Sequence, residues 1–155
     1  MIAQTQEAPE LQVERWIGAQ GYSLDAPLKL SDLGKGLRVI FAFQDWCRGC
    51  HEHGFPSLQL LHTSLAASGV KFAAIQTVFE GAHENTFEKL RVNQQRYQLP
   101  IPFGHDLPPA GRGLPTFMRD YQTGGTPWFA IVDPYNRIVF SDFHIDANRL
   151  VSELT

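Results

Sequence analysis

The chain has 155 residues, of which 43% are hydrophobic and 19% are charged, and its formal net charge is −3. This length is that of one domain with a buried core, so we expect a single domain over residues 1–155 and a monomer. The weak negative charge excludes the basic surface of a nucleic-acid-binding protein. No apolar run approaches the ~18 residues of a membrane span, so no membrane partner is expected.

The N-terminal part carries few structural signals. Residues 1–10 are polar, contain Pro9 and predict a loose arm. No basic segment followed by an apolar one occurs there, so the sequence as written predicts the cytoplasm; a mature form whose export signal had been removed would fit the periplasm. Residues 11–36 hold short apolar pieces broken by glycines, which predict a hairpin-like lead-in.

The central part alternates strand and helix patterns. Arg38 to Phe43 is an unbroken β-branched and aromatic run, typical of a buried parallel strand. A helix follows, with leucines on one face, a kink or a new segment at Pro56 and an end at Gly69. Val70 to Phe79 predicts the next strand.

A second helix is predicted from about Asn85 to Tyr97, with Asn85 as its N-cap and Glu88 as the N3 partner. A short strand should follow from Ile101 to Gly104. Residues 105–125 are rich in proline and glycine, and a loop of this length in a compact domain is more often functional than idle.

The C-terminal part predicts a helical turn near Thr116 to Tyr121, then two strands, Trp128 to Val132 and Arg137 to Phe143. The turn DPYN between these strands is short enough to make them an antiparallel hairpin. A last helix is capped by Asp146. The order β-α-β-α-β followed by β-β-α predicts an α/β sandwich with a mixed central sheet.

Both cysteines of the chain, Cys47 and Cys50, lie in the stretch FQDWCRGCHEHGFP, directly after the first central strand. Ligand sites of open α/β sheets lie at this edge. A helix N-terminus favours a thiolate and can lower the pKa of a cysteine to about 3.5–7.5, and Arg48 would add to the effect. Cys50 is one helical turn further on. The pattern therefore predicts that Cys47 attacks a substrate disulfide and that Cys50 resolves the mixed disulfide.

A second feature is the dipeptide Thr126-Pro127 in GGTPWFAIVDP, directly before a core strand. An X-Pro bond can be cis at modest cost, which would let the loop turn sharply into the strand. On the dipeptide alone, an ordinary trans proline is the more common case.

The stretches VIFAFQDWCRGC, VKFAAIQTVF, RYQLPIPFGHD, GGTPWFAIVDP and NRIVFSDF occur in this order over roughly residues 28–154. In this combination the chain resembles the thioredoxin superfamily, in its TlpA-like and AhpC/TSA-like thiol-disulfide oxidoreductase branch. The resemblance implies a thioredoxin-like three-layer α/β/α sandwich with an N-terminal extension. It also implies a cis-Pro127 loop beside the cysteine pair, peptide-like substrates held against Thr126, and Trp46 flanking the site.

The activity that the resemblance implies is exchange of a Cys-x-x-Cys dithiol or disulfide with protein substrates, most often as a reductase served by a redox partner protein. No bound cofactor is implied. The chain departs from thioredoxin in three places: Gly49 stands where thioredoxin has proline, Phe41 stands where it has a buried aspartate, and Pro56 comes nine residues after the first cysteine where TlpA-like helices have it after eight. Candidates to replace the missing acid or to tune the thiol pKa are Asp45, Arg48, His51, His53 and Glu80.

Four other functions remain open. A peroxiredoxin-like antioxidant would need the pattern P-x-x-x-T-x-x-C, but Ile40 and Gln44 occupy its proline and threonine positions. Read as C-x-x-C-H, the motif has the spacing of a haem c attachment site, with His51 and Met118 as axial ligands. A copper-binding protein would use the two cysteines with His51 and His53. A redox sensor or partner-binding module would present residues 105–125 as its contact surface.

Overall fold

The structure, a computed structural model, describes residues 6–155. One mixed sheet runs in the order β1-β7-β6-β3-β4-β5-β2, in which β3, β4 and β5 are parallel and the other pairs are antiparallel. The strands are β1 (Gln6–Glu7), β2 (Arg15–Ile17), β3 (Arg38–Phe43), β4 (Lys71–Thr77), β5 (Phe103–Asp106), β6 (Trp128–Val132) and β7 (Arg137–Asp142).

Helices cover both faces of the sheet. They are α1 (Phe55–Leu65), α2 (Glu88–Arg96), α3 (Thr116–Tyr121) and α4 (Ala147–Leu154). A π-helical segment, Cys50–Gly54, leads directly into α1, and two 3-10 segments lie at Leu30–Leu33 and Ala66–Ser68. No helix of residues 6–155 is both long and apolar enough to cross a bilayer.

The alternation of side chains along β3 divides the core into two parts. Val39, Phe41 and Phe43 point to one face, where they pack with residues of α1, α2 and α4. Ile40 and Ala42 point to the other face, where α3, the Leu30–Leu33 segment and the N-terminal stretch cover the sheet. The predicted three-layer sandwich with a mixed sheet is therefore confirmed.

The N-terminal extension belongs to the sheet, and the prediction of a loose arm over residues 1–10 is wrong from residue 6 onward; residues 1–5 lie outside the described part. β1 pairs with β7 at one edge and β2 pairs with β5 at the opposite edge. The two edges are six strand spacings of about 4.8 Å apart. This width is close to the largest distance, about 27 Å, that eight fully extended residues can span. Residues 8–14 therefore cross the sheet nearly extended, and they bury Ala8, Leu11 and Val13.

Two other predictions need correction. The hairpin-like lead-in over residues 11–36 is only a single bridge between Ile17 and Ser23, because β2 takes its main partner from β5. α2 begins at Glu88 and its N-cap position is Phe87, without a side-chain cap. Asn85, predicted as the cap, is fully buried and bonds elsewhere.

The offset of Pro56 has a structural counterpart. Between Cys50 and Gly54 the backbone is π-helical, and α1 starts at Phe55 with proline in its first turn. A π-helical turn holds more residues than an α-helical turn, so it accommodates one additional residue before the proline. The later position of Pro56 therefore corresponds to a local change of helix type, which lies directly behind the second cysteine.

Candidate active site at the cysteine pair

Cys47 and Cys50 form a disulfide, and the two sulfurs differ sharply in accessibility. The chain turns after β3, where the Cys47 N–H donates to the Gln44 carbonyl (3.1 Å) and the Cys50 N–H to the Cys47 carbonyl (3.1 Å). Their Cα atoms are 5.3 Å apart. Cys47 is partly exposed, whereas Cys50 is fully buried among core residues. A substrate can therefore reach only the first sulfur.

The side chain at this helical N-terminus is that of Cys47 itself. The Cys50 N–H, which opens the π-helical segment, lies 3.2 Å from Sγ of Cys47. An N–H donor and the helix dipole stabilise negative charge at such a position, so after reduction this site favours a thiolate at Cys47.

The loop before β6 packs against the cysteine turn, and its Thr126-Pro127 bond is cis, as the resemblance implies. A methyl group on Gly49 would lie 3.5 Å from Cδ of Pro127. At Gly54 a methyl group would lie 2.7 Å from Phe41 and 2.9 Å from Pro127, too close for any side chain. Gly54 therefore permits the close approach of helix and loop, a role that the sequence did not indicate.

Thr126 and Trp46 flank Cys47 on one side of the pair. Thr126 is partly buried, and no hydrogen bond to its backbone occurs within residues 6–155. Trp46 is 46% exposed and its ring lies against Gly81, where a side chain would overlap the indole. Gly81 has φ +61°, in the left-handed region that favours glycine.

A groove of about 460 Å³ opens beside Cys47. Trp46 and Thr126 both border it, and its remaining wall is partly apolar and partly polar. It is lined by Gln44, Phe79, Glu80, Met118, Gly124, Gly125 and Phe143 together with these three residues. We call it the active-site groove. A second groove, of about 410 Å³, shares Phe143 with it and is also lined by Pro127 and His53.

A buried amide network supports the wall of this groove and was not predicted. Oε1 of Gln44 accepts hydrogen bonds from Nε1 of Trp46 and from Nδ2 of Asn85 (3.3 Å). The same Nδ2 also donates to the carbonyls of Glu80 (3.3 Å) and Gly81 (3.1 Å). The only available sequence signal was the polar residue Gln44 at the end of an otherwise apolar strand.

His51 and Asp45, two of the candidate acid–base groups, are already engaged. Nε2 of His51 faces the Asp45 carbonyl, so it carries the proton, and Nδ1 then accepts a hydrogen bond from the Tyr97 hydroxyl. Burial raises the pKa of Tyr97, which keeps this donor protonated. The Asp45 carboxylate bonds to Nζ of Lys89 (2.9 Å) and Nδ2 of Asn93 (3.0 Å).

The other candidates lie on the surface around the pair. Arg48 is exposed and forms an i,i+4 ion pair with Glu52 (2.6 Å). Glu80 is exposed at the rim of the active-site groove, and His53 lines the second groove. Within residues 6–155, no three histidine, cysteine or acidic side chains are grouped so that they could hold a metal ion.

Comparison with known proteins identifies the family. No family profile and no curated protein sequence matches the chain. The crystal structure of a thioredoxin-like superfamily protein is 31% identical, over 96% of this chain and 93% of that chain, with a TM-score of 0.81. A thiol-disulfide isomerase from Corynebacterium glutamicum is 29% identical, over 95% and 96% of the two chains, with a TM-score of 0.76.

A thioredoxin family thiol:disulfide interchange protein from Chlorobium tepidum shares the fold over the full length of both chains, with a TM-score of 0.66 and 16% identity. The first similarity exceeds 30% identity over nearly the whole of both chains, and the sheet order, the cis proline and the paired cysteines agree with it. The chain therefore belongs to the thioredoxin-like superfamily.

Proposed function

We propose that the protein is a thiol-disulfide oxidoreductase that reduces disulfides of protein substrates through Cys47 and Cys50. The observation that carries this proposal is the asymmetry of the pair: one sulfur is accessible at a helical N-terminus, where it faces the Cys50 N–H, and the other is buried directly behind it. A similar protein is described as a thiol-disulfide isomerase, which supports the same chemistry. Membership of the TlpA-like and AhpC/TSA-like branch remains a prediction.

The proposed reaction proceeds in two exchange steps. In the reduced protein, the Cys47 thiolate attacks one sulfur of the substrate disulfide, and the other substrate sulfur leaves as a thiolate that takes a proton from water. Cys50 then loses its proton and attacks Sγ of Cys47, which closes the internal disulfide and releases the second substrate thiolate. Two electrons pass to the substrate, and a redox partner protein must return them.

The substrate polypeptide is proposed to bind along Thr126. Its backbone N–H and C=O have no partner within the described residues, and they lie at the entry to β6, beside Cys47. An extended peptide can pair with such free backbone groups through main-chain hydrogen bonds. Trp46 and the apolar side chains of the active-site groove, Phe79, Met118 and Phe143, would then contact side chains next to the substrate cysteine.

Four residues are proposed to have smaller, electrostatic roles. His51 follows Cys50 directly and holds the turn through its two hydrogen bonds, so it would affect the second step. Glu80 at the groove rim would act on charged substrates. Arg48 and His53 are exposed, and water screens exposed charges, so both would shift the pKa of Cys47 only slightly.

Catalysed reduction of insulin by dithiothreitol tests the proposed function. We expect turnover at catalytic concentrations of the protein, with precipitation of the insulin B chain as the measured signal. A redox sensor or partner-binding module would be oxidised and reduced stoichiometrically but would show little turnover. Equilibration with defined glutathione mixtures then gives the redox potential; a value near the about −270 mV of thioredoxin supports a reductase, and one near −120 mV contradicts that direction.

A further inference from the structure

The second groove has ionisable side chains of only one kind, the histidines His53 and His144. Both histidines are exposed, and neither ring has a hydrogen-bond or ion-pair partner within residues 6–155. No aspartate, glutamate, lysine or arginine of the described chain borders the groove. Its apolar wall is formed by Pro127, Phe129, Phe143 and Ile145.

The polar side chains of the second groove come from two separate elements. His53 belongs to the π-helical segment, and Ser57, four residues further on in α1, is half-buried in the same groove. His144 lies in the loop between β7 and α4. The Ser57 hydroxyl also has no hydrogen-bond partner within residues 6–155. A side chain held in the groove can therefore be contacted from both elements.

The charged residues closest in sequence to the two histidines belong to other surfaces. Glu52, next to His53, forms an ion pair with Arg48 (2.6 Å). Asp142 and Asp146, two residues to either side of His144, line a different groove, beside α4. Asp146 also accepts a hydrogen bond as the N-cap of α4. None of these groups neutralises the second groove from within.

The other elements around the groove add no unpaired charge. Residues 124–132, which include Pro127 and Phe129, contain no ionisable side chain. The only ionisable residue of α1 is His62, in its last turn. In α4, Arg149 and Glu153 pair with each other (3.1 Å), and His51 is engaged by Asp45 and Tyr97. The charge of the second groove is therefore set by its two histidines.

Histidine is the side chain that becomes charged as the pH falls from about 8 to about 5. Protonation makes both ring nitrogens hydrogen-bond donors and gives each ring a positive charge. A carboxylate has the complementary charge and accepts at both oxygens, and it can also accept from the Ser57 hydroxyl. Lysine and arginine side chains offer only donors and are repelled by protonated histidine. In its protonated state the second groove therefore matches an acidic side chain.

The second groove adjoins the active-site groove, so one polypeptide can occupy both. Thr126 lines the active-site groove, the next residue, Pro127, lines the second groove, and Phe143 borders both. The charged residue of the active-site groove is Glu80, which disfavours a carboxylate there. An acidic residue of a bound substrate is therefore favoured on one side of the substrate cysteine and disfavoured on the other.

We propose that the second groove binds an acidic side chain of the substrate polypeptide, and that protonation of His53 and His144 strengthens this binding at mildly acidic pH. The inference rests on the proposed function and names a class of substrate for it: polypeptides with Asp or Glu close to one side of the reducible cysteine. These substrates gain an advantage over neutral ones as the pH falls, because the groove then becomes positively charged.

Two substitutions remove the charge without removing the polar character of the groove. In the double variant His53→Gln with His144→Gln, both side chains still form hydrogen bonds but cannot be protonated. Both positions are exposed, and circular dichroism checks that the variant folds. His62→Gln is the matched control, because it removes a histidine that lines neither the active-site groove nor the second groove.

The test compares three disulfide-linked peptides at about pH 5.5 and about pH 8. The parent peptide has glutamine on both sides of its cysteine; the second has glutamate before the cysteine and the third has glutamate after it. We call the rate of a glutamate peptide divided by that of the parent the acid preference. Dividing it by the same ratio for dithiothreitol alone removes the reactivity of the peptide itself, and the reactivity of Cys47 cancels within the ratio.

For one of the two glutamate peptides, we expect the acid preference of the wild type to be about three- to tenfold higher at the lower pH. The double variant should lose this increase, and each single substitution should lose part of it. His62→Gln should keep the increase of the wild type.

Two results would overturn the proposal. In the first, the acid preference of the wild type changes less than twofold between the two pH values for both glutamate peptides. In the second, the double variant keeps the increase, since another group would then bind the carboxylate. Failure of the wild type to reduce the parent peptide at the higher pH would instead contradict the proposed function.

Discussion

Two helical segments begin at the carboxyl edge of the parallel strands, and their N-termini are satisfied in different ways. After β3, the side chain that accepts at the terminus is that of Cys47, whose Sγ lies 3.2 Å from the Cys50 N–H. After β5, the buried carboxylate of Asp106 accepts from the Phe117 N–H (2.7 Å) and from the N–H (3.2 Å) and hydroxyl (2.7 Å) of Thr116, at the start of α3.

We call the turn from β5 into α3 the α3 corner and the turn from β3 into the π-helical segment the dithiol corner. The α3 corner serves the stability of the fold, and the dithiol corner serves the reaction. At the α3 corner the carboxylate of Asp106, from β5, accepts from the N–H groups at the helix terminus, so these groups are not available to a ligand. At the dithiol corner the terminus is left for a sulfur whose charge changes with its redox state. We therefore expect changes at the α3 corner to alter the stability of the protein, and changes at the dithiol corner to alter its reactivity.

The largest effect is expected for Cys47→Ser. A serine hydroxyl ionises far above the pH range of the protein, so it cannot replace the thiolate as nucleophile. We expect insulin reduction to fall to the uncatalysed rate while the thermal unfolding of the variant matches that of the reduced wild type. Substantial turnover by this variant would show that the reaction does not depend on the dithiol corner.

At the α3 corner, Asp106→Asn should destabilise the protein by about 3 kcal/mol, because three hydrogen bonds are weakened at roughly 1 kcal/mol each and an amide NH2 faces backbone donors. Urea unfolding of the reduced proteins measures this change. The folded variant should react with 4,4′-dithiodipyridine, a small disulfide that reports the reactivity of Cys47, at nearly the rate of the wild type. A parallel loss of thiol reactivity would show that the two corners are coupled.

His105, beside Asp106 in β5, should make stability depend on pH. Burial, and secondarily the charge of Arg15, lowers its pKa to about 4, and Nδ1 lies 3.1 Å from Nε2 of Gln76, which leaves no room for a second proton. As the pH falls, His105 therefore takes up a proton in the unfolded chain before it does so in the folded protein. The free energy of unfolding decreases as the pH falls from about 6.5 to about 4. The loss is on the order of 2–3 kcal/mol.

The check is urea unfolding of wild type and His105→Gln across that pH range. Burial raises the pKa of Asp106, so as the pH falls this carboxyl takes up its proton at a higher pH in the folded protein than in the unfolded chain. Protonation of Asp106 therefore increases the free energy of unfolding, opposite to the effect of His105. The difference between the two proteins isolates the histidine. Equal pH slopes for wild type and His105→Gln would mean that His105 does not control this transition.

The smallest effect is expected for Arg48→Met. The side chain of Arg48 is 88% exposed and is paired with Glu52, so its charge is screened at the sulfur. The pH dependence of iodoacetamide alkylation should give a pKa of the Cys47 thiol within about 0.3 of wild type. A larger rise would assign the stabilisation of the thiolate to this arginine and not to the helical N-terminus.

Elements with an unbroken apolar run or a clear local signal could be predicted from the sequence to the residue. β3 and β6 have the predicted bounds, α3 lies at Thr116–Tyr121, and Asp146 caps α4. The strands β1 and β2 could not be predicted, because two and three residues show no periodicity and both pair with distant strands. Their positions depend on the whole sheet.

At the site, the motif indicated the cysteines and the proline but not the groups that shape the groove. Asn85 and Glu88 have the spacing of a capping box, yet the Asn85 amide bonds to Gln44 across the loop, so local capping statistics misplaced the start of α2. The environment of the Gln44 amide depends on the same loop. The glycines at positions 54 and 81 are required because groups distant in sequence pack against them, Phe41 and Pro127 at one and Trp46 at the other.

The central claim is that Cys47 attacks and Cys50 resolves, and trapping of the mixed disulfide tests it most directly. Reduced Cys50→Ser is incubated with a disulfide-linked peptide, quenched with acid and measured by intact mass spectrometry, with Cys47→Ser as the matched control. The account predicts a stable one-to-one adduct on Cys47 for Cys50→Ser and no adduct for Cys47→Ser. An adduct of comparable yield on Cys50 in Cys47→Ser would contradict it.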